Sequence, residues 1–142
     1  MSRKIARESV YKLIFEYLFS KKPNQRTFDI LSSIELADVD KKYMSEAYSG
    51  IIEKYDWLIS EIEQLSEGFS LDRIFMPDLA ALLLALYEMH FMPDIPHSVS
   101  IAEAVELVKR YSTDKSNQYV NGVLSSVYKK LNKKDIDEDA NN

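Results

Sequence analysis

Cysteine is absent from the chain. That excludes disulfides, a thiolate nucleophile and any zinc site built on sulfur, and it fits a reducing compartment. Glycine is scarce too: Gly50, Gly68 and Gly122 stand singly, so no glycine-rich loop can cradle a nucleotide phosphate. The histidines, His90 and His97, have no metal partner at helical spacing. Asp94-Ile95-Pro96-His97 imitates a carboxylate–histidine pair, but Pro96 removes the helix that would align it. The longest apolar run, Leu79–Tyr87, falls far short of the roughly 20 residues that cross a bilayer. No apolar stretch follows the basic N-terminal residues, so no signal peptide is visible. Nothing assembles a nucleophile, a base and an oxyanion site. We expect a soluble cytoplasmic protein that is not an enzyme, with no cofactor, metal or membrane partner.

What the chain does have is a core and an uneven charge. Its 142 residues are 46% hydrophobic and 29% charged, values of an ordinary globular domain. The net charge of −5 argues at first against nucleic acid. Its distribution argues the other way. Residues 1–26 carry a net +5 and residues 109–134 a net +6, while residues 27–108 carry −12 and the tail −4. Phosphate responds to charge within a Debye length of about 8 Å, so two basic blocks can bind it on an acidic protein.

Along the chain the apolar period is helical throughout. A first helix spans about 4–20, with Ile5, Ala6, Val10, Leu13, Ile14, Tyr17 and Leu18 inward. A second stripe on it passes from Arg3 and Arg7 through Tyr11 and Phe15 to Phe19, which we expect to join the core. Arg3, Lys4 and Arg7 read as a basic cluster on an exposed turn. Pro23 ends this helix, and a short one follows over Thr27–Ser33. Asp38 or Asp40 caps a long helix running to about Leu65, with Trp57 and the tyrosines in the core, and Ser66-Glu67-Gly68 closes it. Pro77 opens a central buried helix through Met92. Pro93 and Pro96 make a stiff turn, with His90 at a helix end and His97 in a surface turn. Six or seven helices without a strand pattern predict an all-α fold. We expect one domain over residues 1–134, with halves of about 1–68 and 69–134, and a disordered acidic tail over 135–142.

The organising stretch is Ser98–Leu124. Ser100-Ile101-Ala102-Glu103 reads as a capping box, opening a helix with Ala104, Val105 and Val108 inward. A polar, basic elbow follows at Ser112-Thr113-Asp114-Lys115. The last helix then carries an inward stripe of Val120, Val123, Leu124, Val127 and Leu131. Gly122 within that helix costs about 1 kcal/mol relative to alanine, which predicts a close approach of another backbone or a ligand.

The order Ile101, Glu103-Ala104-Val105-Glu106-Leu107, Lys109, a short polar loop and Val120-Asn121-Gly122-Val123-Leu124 resembles the C-terminal signature of the NusB family of bacterial transcription antitermination factors. Ala6-Arg7-Glu8, Leu86-Tyr87-Glu88 and the proline turn extend the likeness over most of the chain. The resemblance implies two helical bundles packed roughly perpendicular to one another. It implies binding of boxA-type single-stranded RNA from ribosomal RNA leaders, together with the ribosomal protein NusE, in an RNA polymerase complex that suppresses termination. Carried over by matched position, RNA contacts fall on Arg3, Lys4, Arg7, Lys115, Asn117 and Tyr119, and a partner face on Phe15 and Asp78. A homodimer is left open. The chain departs from the family pattern at Leu83, Ala102, Lys115 and Ser125, and has Tyr119 where phenylalanine is usual. Two other readings stay open: a stand-alone relative of the RNA-recognition domain of RNA cytosine methyltransferases, or a helical protein adaptor without RNA.

Overall fold

The computed structural model describes residues 2–33, 35–66 and 73–140, with no account of the side chains of 2 and 134–140. Seven helices and no strand occur among the described residues: α1 (Ser2–Ser20), α2 (Gln25–Ser32), α3 (Asp38–Glu53), α4 (Tyr55–Leu65), α5 (Met76–Phe91), α6 (His97–Tyr111) and α7 (Ser116–Ala140). The fold is all-α, as its helical period requires. The boundary between the expected halves, together with Glu67, Gly68 and Asp72, lies outside the described residues.

Helix α5 is the axis of the molecule. Its run from Asp78 to Leu86 is buried on every face, and α1, α3, α4, α6 and α7 all pack against it. A fully buried leucine stabilises by about 1.5–3 kcal/mol relative to an exposed one, so Leu82, Leu83, Leu84 and Leu86 anchor the core. Met76 rather than Pro77 is the first helical residue. Pro77 takes the second position, where its missing N–H still costs no intrahelical bond. Helix α1 buries Ala6, Val10, Leu13, Ile14 and Leu18, as its period predicts, but also Arg7 and Tyr11. Ile5 is exposed instead, Tyr17 is half-buried, and Phe19 is 64% exposed rather than part of the core.

Three other expectations change. The long helix predicted from Asp38 to Leu65 is two, broken at Lys54 (φ −97°, ψ 13°). The break lets Leu58 and Ile62 reach the core while Trp57 stays 41% exposed at the rim. Glycine behaves oppositely at its two described positions. A Cβ on Gly50 would collide with the Tyr87 ring, whereas one on Gly122 would meet nothing within 4 Å. The close approach expected at Gly122 is therefore found at Gly50. Finally, α7 runs on to Ala140, through acidic residues that composition alone leaves unstructured. Adding a residue to an existing helix costs far less than nucleating one.

Candidate nucleic-acid interface

The start of α1 is organised by a buried ion pair. Arg7, 5% exposed, meets Glu88 of α5, 1% exposed. Its Nε donates to Oε2 at 2.8 Å and its Nη2 to Oε1 at 3.3 Å. Tyr43 of α3 donates its hydroxyl to Oε2, and Ser100 of α6 donates to Oε1 at 2.8 Å. Four helices thus converge on one carboxylate. Burial opposes the charge on Arg7, but the hydrogen bond and charge of Glu88 outweigh it and hold the guanidinium pKa above its ordinary value. Burial, reinforced by Glu88, pushes the Tyr43 phenol well up.

This arrangement corrects two sequence expectations. Arg7 is not an exposed phosphate contact: its charge is spent on Glu88. Nor do Ser100 and Glu103 form a capping box. Helix α6 begins four residues earlier than that box requires, at His97, with Pro96 at its cap. Ser100 therefore lies inside the helix and turns to Glu88. Glu103 reaches α1 instead, 3.9 Å from Lys4 Nζ and 3.9 Å from Arg7 Nη1.

Arg3 and Lys4 diverge. Arg3 faces α3, where its Nε donates to Asp40 at 2.9 Å and its guanidinium lies 4.4 Å from the Tyr43 ring centroid. Lys4 stays exposed on the α6 side. One turn on, Glu8 accepts from Arg110 Nη1 at 2.9 Å and from the Tyr111 hydroxyl. Burial alone would raise the Glu8 pKa, but the Tyr111 hydrogen bond and the charges of Arg110 and Lys12 hold it below the ordinary carboxylate value. Tyr111 is 40% exposed. Cations flank it, Lys12 Nζ and the Arg110 guanidinium each lying 6.0 Å from its ring centroid. Its other neighbour is Tyr11, stacked at 5.6 Å.

From Tyr111 the chain enters the elbow, which Asp78 holds. Asp78 sits in the first turn of α5 and is 4% exposed. It accepts from Ser112 Oγ at 2.7 Å and Ser116 Oγ at 2.9 Å, so the elbow is tied at both ends to the central helix. Asp78, expected on a partner face, is thus buried beneath the elbow. Phe15, its expected companion, is half-buried and meets Phe19 edge-on at 5.0 Å. Lys115 projects from the elbow, exposed, with Asn117 half-buried beside it. Tyr119 is half-buried and its hydroxyl lies 2.8 Å from Ser66 Oγ, while burial raises its pKa. Its ring lines a cleft of about 230 Å³ together with Arg73, Phe75, Asp78 and Lys115. Phe75 is 59% exposed at the mouth of α5.

The two basic blocks, far apart in sequence, therefore meet at Tyr111, where Lys12 of the first and Arg110 of the second flank one ring, and the elbow leads on to Lys115 and Tyr119 in the cleft beside it. Lys12, Arg73, Phe75, Arg110 and Tyr111 escape the sequence reading. For two of them a signal existed, since Lys109-Arg110-Tyr111 sets cations beside an aromatic at a helix end. Among the described residues no His, Cys, Asp and Glu group could hold a metal ion, and no helix is long and apolar enough to cross a membrane.

The model of the NusB family matches residues 4–129. The chain belongs to the NusB family. It is 37% identical over 130 residues to the transcription antitermination protein NusB of Acetivibrio thermocellus, covering 91% of this chain and 90% of that protein. Among solved structures, T. maritima NusB superposes with a TM-score of 0.80 at 32% identity, covering 91% of this chain and 92% of that one. A structure described as antitermination factors NusB and NusE in complex with dsRNA superposes equally well, at 0.80, with 24% identity and coverage of 90% and 96%. As a NusB-family member the chain is a transcription antitermination factor and not an enzyme.

Proposed function

We propose that this NusB-family chain binds single-stranded RNA of the boxA type, together with the ribosomal protein NusE, and joins RNA polymerase in a complex that suppresses termination. The observation that carries the reading is the junction at Glu8, where Arg110 and Tyr111 draw the second basic block against the first. Lys4, Lys12, Arg110 and Lys115 serve as phosphate contacts. Tyr111 and Tyr119 offer exposed ring area on which unpaired bases stack, with Asn117 beside the path. Arg3 lies off this path against α3, and Arg7 supports it from beneath. The complex of NusB, NusE and dsRNA solved for a fold neighbour supports an RNA and NusE partnership. Accessible aromatic rings favour a single strand, because bases in a duplex are already stacked. For NusE the exposed Phe19 beside Phe15 offers an apolar face, with Asp78 acting only through the elbow.

Fluorescence anisotropy with boxA-type single-stranded RNA, its duplex and a scrambled strand, with and without NusE, tests the reading. Tyr119→Phe should retain affinity, since stacking uses the ring. Tyr119→Ala should lose about 1–3 kcal/mol of binding, the worth of one base stack. A large drop in melting temperature for Tyr119→Ala, with RNA affinity of the folded fraction preserved, would place this residue in the core alone. Binding of NusE without any RNA affinity would make the chain a protein adaptor.

A further inference from the structure

The far end of α5 has a different chemistry. Phe91 lies thirteen residues beyond Asp78, about 20 Å along a helix that rises 1.5 Å per residue, well beyond the screening length that limits the basic strip. Here α3 ends at Glu53, α4 begins at Tyr55 and α5 ends at Phe91. Trp57 and Phe91 are 41% and 39% exposed. Their rings lie 5.6 Å apart, His90 meets Trp57 edge-on at 4.9 Å, and Tyr87 adjoins Phe91 at 5.1 Å. Isolated exposed aromatics are ordinary, but a contiguous group at the surface is the composition of an interface core.

The surroundings of this group are acidic. Tyr87 crosses α3 at Gly50, and Glu46 and Glu53, one turn to either side on the same face, act on its phenol. The negative end of the α5 dipole falls here as well, while that of α3 is offset by the positive N-terminal end of α4 at Tyr55. Two lysines attend the group. Lys42 lies 3.7 Å from Glu46. Lys54 holds its Nζ 5.7 Å from the Phe91 ring centroid, so the chain's own cation already covers that aromatic face. The carboxylates of Glu46 and Glu53 beside the rings repel a phosphate backbone, so local charge disfavours RNA as the occupant.

We propose that the surface formed by Trp57, Tyr87 and Phe91 between Glu46 and Glu53 docks an arginine-bearing basic segment of a partner protein. The guanidinium stacks on the rings as a planar cation and the carboxylates orient it, a geometry that the compact ammonium of lysine matches poorly. Lys54 is the internal competitor that the incoming arginine displaces. The site is separate from the RNA-binding strip and does not depend on it.

Trp57 is the only tryptophan in the chain, so its emission reports on this surface directly. A short peptide alternating arginine and glycine, titrated into the full chain, should change Trp57 emission saturably, with binding confirmed by calorimetry. The lysine counterpart should bind several-fold more weakly and the glutamate counterpart not at all. Glu46→Gln and Glu53→Gln should each weaken the arginine peptide by about two- to fivefold, the range an exposed ion pair supports. Lys54→Ala should strengthen it by about twofold or more, an effect no merely structural role predicts. Glu106→Gln, on α6, should change nothing. Equal binding of arginine and lysine peptides, or weaker binding by Lys54→Ala, overturns the proposal. So does no saturable change by about 1 mM peptide. Trp57 emission that responds to single-stranded RNA, or to protein concentration without peptide, would assign the surface to RNA or to a second copy and overturn it as well.

Discussion

Replacing Glu88 by leucine would take from the buried Arg7 guanidinium, 5% exposed, its hydrogen-bonded counter-charge and leave only Glu103, 3.9 Å from Nη1. Breaking one side of a buried pair costs about 3–5 kcal/mol, and a domain of this kind holds about 5–15 kcal/mol in all. Glu88→Leu should therefore remove a large share of the stability. Arg7→Met is the milder change, because Tyr43 and Ser100 still donate to the carboxylate. We expect it to cost about 1.5–3 kcal/mol, the worth of hydrogen bonds to a charged group. In the double variant no charge is stranded, so it should be no less stable than Glu88→Leu alone. The coupling is then at least the whole cost of Arg7→Met, in the upper part of the range of about 0.5–3 kcal/mol seen for residues that touch. Urea unfolding followed by far-ultraviolet circular dichroism measures all three. Single losses that add within about 0.5 kcal/mol would refute the converging network. The cycle also bears on function: folded Arg7→Met protein should keep its RNA affinity, because the guanidinium never faces solvent.

Two further outcomes follow from local geometry. Because the folded pKa of Glu8 lies below its ordinary 4.5, its stabilising contribution is complete above that value and is lost as pH falls through the lowered one. Wild type should lose more stability on acidification below the ordinary value than Glu8→Gln, and identical acid profiles in urea unfolding would contradict the assignment. Gly122→Ala should stabilise by up to about 1 kcal/mol, while Gly50→Ala, driven into Tyr87, should destabilise by about 1–3 kcal/mol. Midpoints of denaturation that move in the same direction for both would show that one of the two environments is misread.

How much of this was legible in the chain depends on how local each cause is. Helix α5 could be read because its leucines and alanines follow one another without interruption. The family signature from Ile101 to Leu124 points to the right fold, whereas the capping box read from spacing alone does not form. Ser100 and Glu103 satisfy the spacing rule, yet Pro96 starts the helix earlier and frees both side chains to reach other helices. Arg7 was misplaced for a related reason: its partner lies 81 residues away, and no local pattern marks a cation as buried. The break at Lys54 has no glycine or proline to announce it. Trp57 and Phe19 fit a core period but lie past the point where the neighbouring helices cover it. Tyr111 belongs to the candidate interface through Glu8, a partner 103 residues away that no local pattern marks.

The central claim is that two basic blocks form one RNA-binding strip with Arg7 beneath it, and the salt dependence of RNA binding tests this most directly. The slope of log affinity against log salt should flatten by roughly 0.7 for each phosphate of a single strand that the protein no longer neutralises. Lys12→Ala and Lys115→Ala, one from each block, should each produce that change and together produce both, while folded Arg7→Met should leave the slope unaltered. An unchanged slope in the Lys12 and Lys115 variants, or the largest change in Arg7→Met, would contradict the account.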